Sequence, residues 1–487
     1  MTIDDASFIA SMGGSTGIVR ISGIGSTWNT GNTFFAGQAG NGTLEVTGGG
    51  LLNARDTFVG NLGGSVGQIT VSGTGSHAEH AGQLVVGNEG RGTYLVAAGG
   101  SVNAGSVLLG VNNGSRGDVT VSGAGTTWTS SSLTVGESGP GSFTVTDGAT
   151  AEIGGGIILA RNATANGTIT VGPNALMIVG TQSTNAVIFN GAGTSRFEMA
   201  GGTLRTFNDT SLETGVLLSA DSSFDVDGSL TVTRGLSGTG NLSKIGTGTL
   251  ALQADNSAWS GALQVSQGTL NLAHSAALGN GWLGMADGTT LGLSDGVNFN
   301  NSVQMLGEVA VVVADGESAT LAGNVSGGSS TTLVKRDAGT LTLGGGTVGD
   351  TRVEGGTLRV TGNALNGGNI EIGSGGTFET DTTRVLNYAG QISGSGFFRQ
   401  GRHSLTLTGD SSAFTGTTVI NGGQLNVTGS LGGDVQVTRG GWLTGNGSLG
   451  NVFVSGFSTL SPGTTTAPIS RLDIAGVLNF DSSSTLQ

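Results

Sequence analysis

The segments Gly17–Trp28 (GIVRISGIGSTW), Gly67–Ala78 (GQITVSGTGSHA) and Gly117–Trp128 (GDVTVSGAGTTW) state one phrase three times, fifty residues apart. Ile21, Val71 and Val121 share a phase, and so do Gly23, Gly73 and Gly123. A second phrase interleaves with the first: Gly42–Ala54 (GTLEVTGGGLLNA), Gly92–Ala104 (GTYLVAAGGSVNA) and Gly141–Ile153 (GSFTVTDGATAEI). Each fifty-residue unit therefore holds two similar halves of about twenty-five residues. A fixed period of this size marks stacked supersecondary units, each covering the hydrophobic face of its neighbour.

Composition selects the kind of stack. The 487 residues include 96 glycines and only 4 prolines, with no every-third-glycine register, which excludes a collagen triple helix. Charged residues are 10% of the chain and apolar residues 36%, the latter in short alternating runs. Lysine occurs only at Lys244 and Lys335, and no stretch carries apolar residues at helical spacing. Groups such as GQITVSG, GSFTVTDG and SLTLTG alternate apolar residues with Thr, Ser or Gln, then stop at Gly, Asn or Asp. Three such strands and three turns fill a coil of about twenty-five residues. The expected fold is all-β: a right-handed parallel β-helix, a solenoid of about twenty coils, each adding roughly 4.8 Å.

The net charge of −14 repels a nucleic-acid backbone, and no Lys/Arg stripe offsets it; anionic membrane surfaces are disfavoured for the same reason. The longest apolar run, Val309 to Ala314, is too short to span a bilayer, so no direct membrane insertion is expected. The chain has no cysteine, which fits export without deciding it. The segment Met1–Arg20 carries two early aspartates and no apolar core, so it does not read as a secretion signal.

Three segments are expected. Residues 1–180 carry the fifty-residue repeat, punctuated by FVGN at Phe58, VVGN at Val85 and LLGV at Leu108. In 181–235 the register loosens, and Phe207–Gly215 (FNDTSLETG) reads as a loop leaving the stack. From 236 to 487 the repeat changes. Gly246–Leu272 (GTGTLALQADNSAWSGALQVSQGTLNL) returns as Gly401–Val427 (GRHSLTLTGDSSAFTGTTVINGGQLNV), with a degenerate copy at Ala338–Val360. Trp259 and Phe414 share a phase, and the copies follow the lead-ins LSGTGNLSK, VSGGSSTTLVK and ISGSGFFRQ.

This second pattern resembles the autotransporter-associated β-strand repeat in passenger domains of Gram-negative type V secretion proteins. The last section, with its Ser461-Pro462-Gly463 turn, is similar to the segment that ends many such passengers. The resemblance implies a passenger exported across the outer membrane, then displayed at the cell surface or secreted. It also implies a C-terminal outer-membrane barrel as a partner; the chain carries no set of strands for one and reads as ending before the junction.

Several motifs look like chemistry and are better explained by the repeat. Gly13–Gly17 and Gly63–Gly67 match the G-x-S-x-G nucleophile elbow, but Ser15, Ser65 and Ser115 share one repeat phase and no helix follows. Gly445–Gly450 matches G-x-G-x-x-G without the strand–helix unit a dinucleotide needs. His77 and His80 flank Glu79, yet on a strand His80 points away from the other two, short of the converging ligands zinc requires. Asp225 and Asp227 share a strand face and read as solvated carboxylates. Arg116-Gly117-Asp118 is an RGD tripeptide at a strand start rather than a loop tip. Trp28, Trp128, Trp259, Trp282 and Trp442 read as core fillers at coil corners. No catalytic, cofactor-binding or metal residue is assigned, and no cofactor is expected.

Three functions remain open. The first is adhesion, autoaggregation or biofilm formation through multivalent lateral contacts with host surface glycans, matrix proteins or other copies of the chain. The second is a non-enzymatic spacer. The third is a polysaccharide-processing β-helical enzyme, which needs convergent carboxylates about 5 to 9.5 Å apart.

Overall fold

A computed structural model describes residues 5–362, 368–382, 384–464 and 470–487; the first four residues of the segment Met1–Arg20, which does not read as a secretion signal, lie outside it. The chain divides into two compact units, Met1–Ala262 and Leu263–Gln487. No helix occurs among the described residues, and their strands stack as a parallel β-solenoid of about 20 turns.

In the first unit, ten parallel strands follow one another from Thr16–Ser22 and Asn41–Thr47 through Val66–Ser72 and Arg91–Ala97 to Leu236–Gly238. Gly17 pairs with Gly42, Gly42 with Gly67, Gly67 with Gly92 and Gly92 with Gly117. The two interleaved phrases are thus successive coils of one stack. Alternation sets the faces: Leu44, Val46, Ile69, Val71, Tyr94 and Val96 are all fully buried, while their strand neighbours point outward.

The fixed small residues have separate causes. A Cβ on Gly67 would sit 2.2 Å from both the Ala36 carbonyl oxygen and the Gly60 nitrogen, so this phase is glycine because neighbouring backbone closes over it. The next corner is tied by a hydroxyl. Ser26, Ser76 and Thr126 donate to the carbonyls of Ser22, Ser72 and Ser122 at 2.7–2.9 Å, around Gly23, Gly73 and Gly123 with φ of 90–96°. Side-chain caps of this kind fix a turn without further packing.

The coil is not uniform in length. It takes 25 residues from Gly42 to Gly67, but 20 from Val216 to Leu236 and from Leu230 to Leu250. The loop expected at Phe207–Gly215 is instead a turn of the solenoid. Thr210–Glu213 is a strand in register with Ala186–Phe189 on one side, and Thr210–Leu212 pairs with Leu230–Val232 on the other. The loosened register in the sequence reflects a shortening coil, which keeps its inward Leu212 buried.

In the second unit the step varies from 17 to 26 residues. Leu263 pairs with Leu283 and Leu283 with Val303, while Leu341 pairs with Leu358. A six-stranded parallel sheet forms one wall, in the order Leu386–Tyr388, Ser404–Leu407, Gln424–Val427, Trp442–Gly445, Thr459–Pro462 and Thr485–Leu486. The phase match of Trp259 with Phe414 is structural: each is buried and bridges the glycine of its lead-in, Gly238 or Gly394.

Both lysines lie inside the fold, fully buried. Lys244 Nζ donates to the carbonyls of Ile245 and Gly246 at 3.2 and 2.6 Å, and Lys335 Nζ to those of Arg336, Asp337 and Gly355. Gln400, which ends the third lead-in, donates to the His403 carbonyl at 2.6 Å. These three polar ends tie the corner that precedes each repeat strand. Burial pulls both ammonium groups down to about 8.

Candidate functional site

The motifs that resemble chemistry are absorbed by the solenoid. Ser15, Ser65 and Ser115 close turns onto Met12, Leu62 and Asn112, and a strand follows each. His77 Nε2 lies 3.6 Å from Glu79 Oε2 on the outer face. His80 is fully buried, with Nδ1 2.8 Å from Thr57 Oγ1 and Nε2 2.8 Å from the Tyr94 hydroxyl. Burial first, and then His77, pull the His80 imidazole down to about 3, so it is neutral at physiological pH; burial raises the Tyr94 phenol. Tyr94, Trp128 and Phe143 continue along the stack edge to face, with centroids 5.7 and 5.5 Å apart. Asp225 and Asp227 hold Arg205, at 3.5 and 2.8 Å, rather than standing free in solvent. Arg116 Nε bonds Asp118 Oδ2 at 2.6 Å, and Asp118 Oδ1 accepts from Ser142 at 2.6 Å, so the tripeptide is engaged with itself and the next coil. No group of three His, Cys, Asp or Glu suited to a metal occurs among the described residues.

The outer faces of the two units differ. In the first unit two outward columns close on themselves. Asn61 donates to Gln38 at 2.8 Å, Asn88 to Asn61 at 2.9 Å and Asn112 to Asn88 at 3.2 Å, an amide ladder running through the Gly-Asn punctuation. Phe8, Phe35 and Phe58 pair in register and stack with centroids 5.1 and 5.2 Å apart.

In the second unit the six-stranded sheet lines a groove of about 460 Å³. Thr406, Asn426, Thr444 and Ser461 form one column in register, with Ser404 and Gln424 beside it. Their mutual bonds are long: 3.4 Å from Asn426 to Thr406, 3.4 Å from Thr444 to Asn426 and 3.3 Å from Gln424 to Thr444. Trp442, in register with Gln424, is 45% exposed, and no ring stacks on it among the described residues. Trp282 is likewise exposed. This corrects the reading of all five tryptophans as core. Trp128 and Trp259 are buried and Trp28 is half-buried, but Trp282 and Trp442 each precede a fully buried leucine, Leu283 or Leu443, and so take the outward phase. That alternation was the available signal. Weakly bonded hydroxyls and amides beside a bare indole can exchange hydrogen bonds with a polyhydroxylated ligand and pack against its apolar face.

The passenger-associated-transport-repeat family matches residues 242–272, 333–360 and 404–427, which supports an autotransporter passenger with repeats. These are the Leu242, Leu333 and Ser404 strands with the repeat strands that follow, including both buried lysines. The chain is also similar to the "Adhesin BmaC autotransporter" of Brucella suis biovar 1 (strain 1330), at 32% identity over 187 residues. That match covers 31% of this chain and 6% of the relative. Passengers of this kind stand at the cell surface or are secreted across the Gram-negative outer membrane.

Proposed function

We propose that this passenger segment is adhesive, holding host glycans, matrix proteins or neighbouring cells through lateral polar faces, in surface attachment, autoaggregation or biofilm formation. The observation that carries this reading is the 460 Å³ groove with Trp442 exposed beside it, whose columns of hydroxyls and amides bond one another only weakly. Repeated weak contacts along coils raise avidity without a strong single site. The relative's name, adhesin, agrees. The three sequence segments, 1–180, 181–235 and 236–487, are proposed to differ in coil type, with the adhesive faces in the last. The partner barrel is proposed to lie in the parent protein beyond this segment.

The chain is read here as non-enzymatic. Carboxylates that approach one another are engaged by arginine: Asp225 and Asp227 by Arg205, and Glu308 and Glu354 by Arg336 and Arg352. A general acid or nucleophile would need one of them free. The test is incubation of the whole chain with immobilised glycans and matrix proteins, followed by analysis of retained and released material. Retention with intact ligand is expected. Released fragments would establish the enzyme instead, and no retention the spacer.

A further inference from the structure

A second groove in the Leu263–Gln487 unit, about 470 Å³, is lined by Arg359, Glu379, Phe397, Arg399, Asn421 and Arg439, among others. Arg359, Glu379 and Arg399 pair in register on successive coils. Glu379 is committed to Arg359, accepting from Nε at 3.0 Å and from the guanidinium end at 3.5 Å. Arg399 and Arg439 are exposed and form no ion pair among the described residues. The other carboxylate at the rim is Asp381, beside Gly401. Two guanidiniums thus face one uncommitted acid, in a chain of net charge −14. Phe397, 45% exposed, precedes Arg399 by two residues on the same strand, so ring and guanidinium project from one face.

We propose that this groove binds an acidic saccharide, a sugar ring bearing a carboxylate. The guanidinium fork matches a carboxylate in two parallel hydrogen bonds. The Phe397 ring offers a flat apolar surface for the C–H face of the sugar, and the Asn421 amide and Thr438 hydroxyl offer neutral hydrogen bonds for its hydroxyls. The volume falls within the roughly 300–1,000 Å³ of small-ligand sites. The inference deepens the adhesive reading and rests on it, naming a ligand class for one face.

The test is calorimetric titration of the whole chain with a hexuronate tetrasaccharide, its methyl ester, a neutral tetrasaccharide and tetraglutamate. Binding of the hexuronate is expected to weaken about tenfold in Arg399→Gln and in Arg439→Asn, and to fall with rising salt. Asn is chosen because residue 439 has φ +53°, a conformation Asn tolerates. Phe397→Ala is expected to weaken binding severalfold. The methyl ester and the neutral sugar are expected not to bind here. Equal binding of the ester, indifference to the arginine substitutions, or tighter binding of tetraglutamate would overturn the proposal. The same variants on the glycan and matrix panel separate the two readings: retention without hexuronate binding removes this inference alone, whereas no retention of the parent chain removes the adhesive reading as well.

Discussion

The coils of residues 16–171 and those of residues 386–461 use the same parallel register at different lengths and finish their outer faces differently. Coils of 25 residues spend their extra length on corners that bond internally, such as Ser76 onto Ser72, and their outward amides and rings satisfy one another. Coils of 17 to 20 residues leave Trp442 and Phe397 without a stacked ring among the described residues, and side-chain bonds of 3.3–3.4 Å between the groove columns. The first arrangement stabilises the stack by consuming its own polar groups. The second leaves donors, acceptors and rings for something else to occupy. On the proposed adhesive reading, the outward columns that fail to close are the ones available for contact.

The largest effect expected separates identical residues in the two regions. Trp128→Ala empties a fully buried position between Tyr94 and Phe143 and is expected to cost about 3–5 kcal/mol. Trp442→Ala on the outer face is expected to stay within about 0.5 kcal/mol. Amide exchange around 116–146 and 424–445 measures both; comparable losses would erase the distinction.

A similar magnitude is expected from acid at His80 in the first region. The unfolded His80 imidazole takes a proton near its ordinary value of 6.5, and the folded one only near 3. The unfolded chain therefore binds more protons in this window, and stability falls as pH drops from 6.5 toward 3, by on the order of 3–5 kcal/mol. Denaturation at stepped pH should show this loss in the parent, and a flatter profile in His80→Leu. An unchanged slope would mean that other groups carry it.

A smaller loss probes the corner ties. Lys335→Met leaves the carbonyls of Arg336, Asp337 and Gly355 without their donor, at about 1–3 kcal/mol. Lys335→Gln, the residue type found at Gln400, should recover part of this in thermal melts. Equal destabilisation by both would make the contribution one of packing. The smallest effect is at the tripeptide: Asp118→Ala releases an exposed arginine and one hydroxyl, about 1 kcal/mol or less, and cell attachment should be unchanged.

Much of the fold was readable from Gly17, Gly67 and Gly117. A glycine that recurs every coil because a neighbouring backbone closes over it also fixes the register of that coil. The inward phase followed from alternation, and so did the opposed directions of His77 and His80. Coil length was not readable after residue 180, because alternation marks strands without saying how many residues separate one strand from the strand above it. The partners of His80 were hidden for the same reason: Thr57 and Tyr94 come from elsewhere in the stack. The grooves were hidden further, since each is assembled from single residues on several coils, none unusual alone. Trp442 was misread by weighing residue type over phase, although Leu443 fixed its direction.

The most direct measurement is retention of three chains on the same immobilised glycan and matrix panel: the parent, Trp442→Ala with Asn426→Ala, and Phe35→Ala with Asn61→Ala. The expected result is intact ligand held by the parent, retention weakened in the Trp442 and Asn426 variant at an unchanged melting temperature, and retention kept in the Phe35 and Asn61 variant despite a lower one. Equal retention by all three, or loss only in the Phe35 and Asn61 variant, would contradict it.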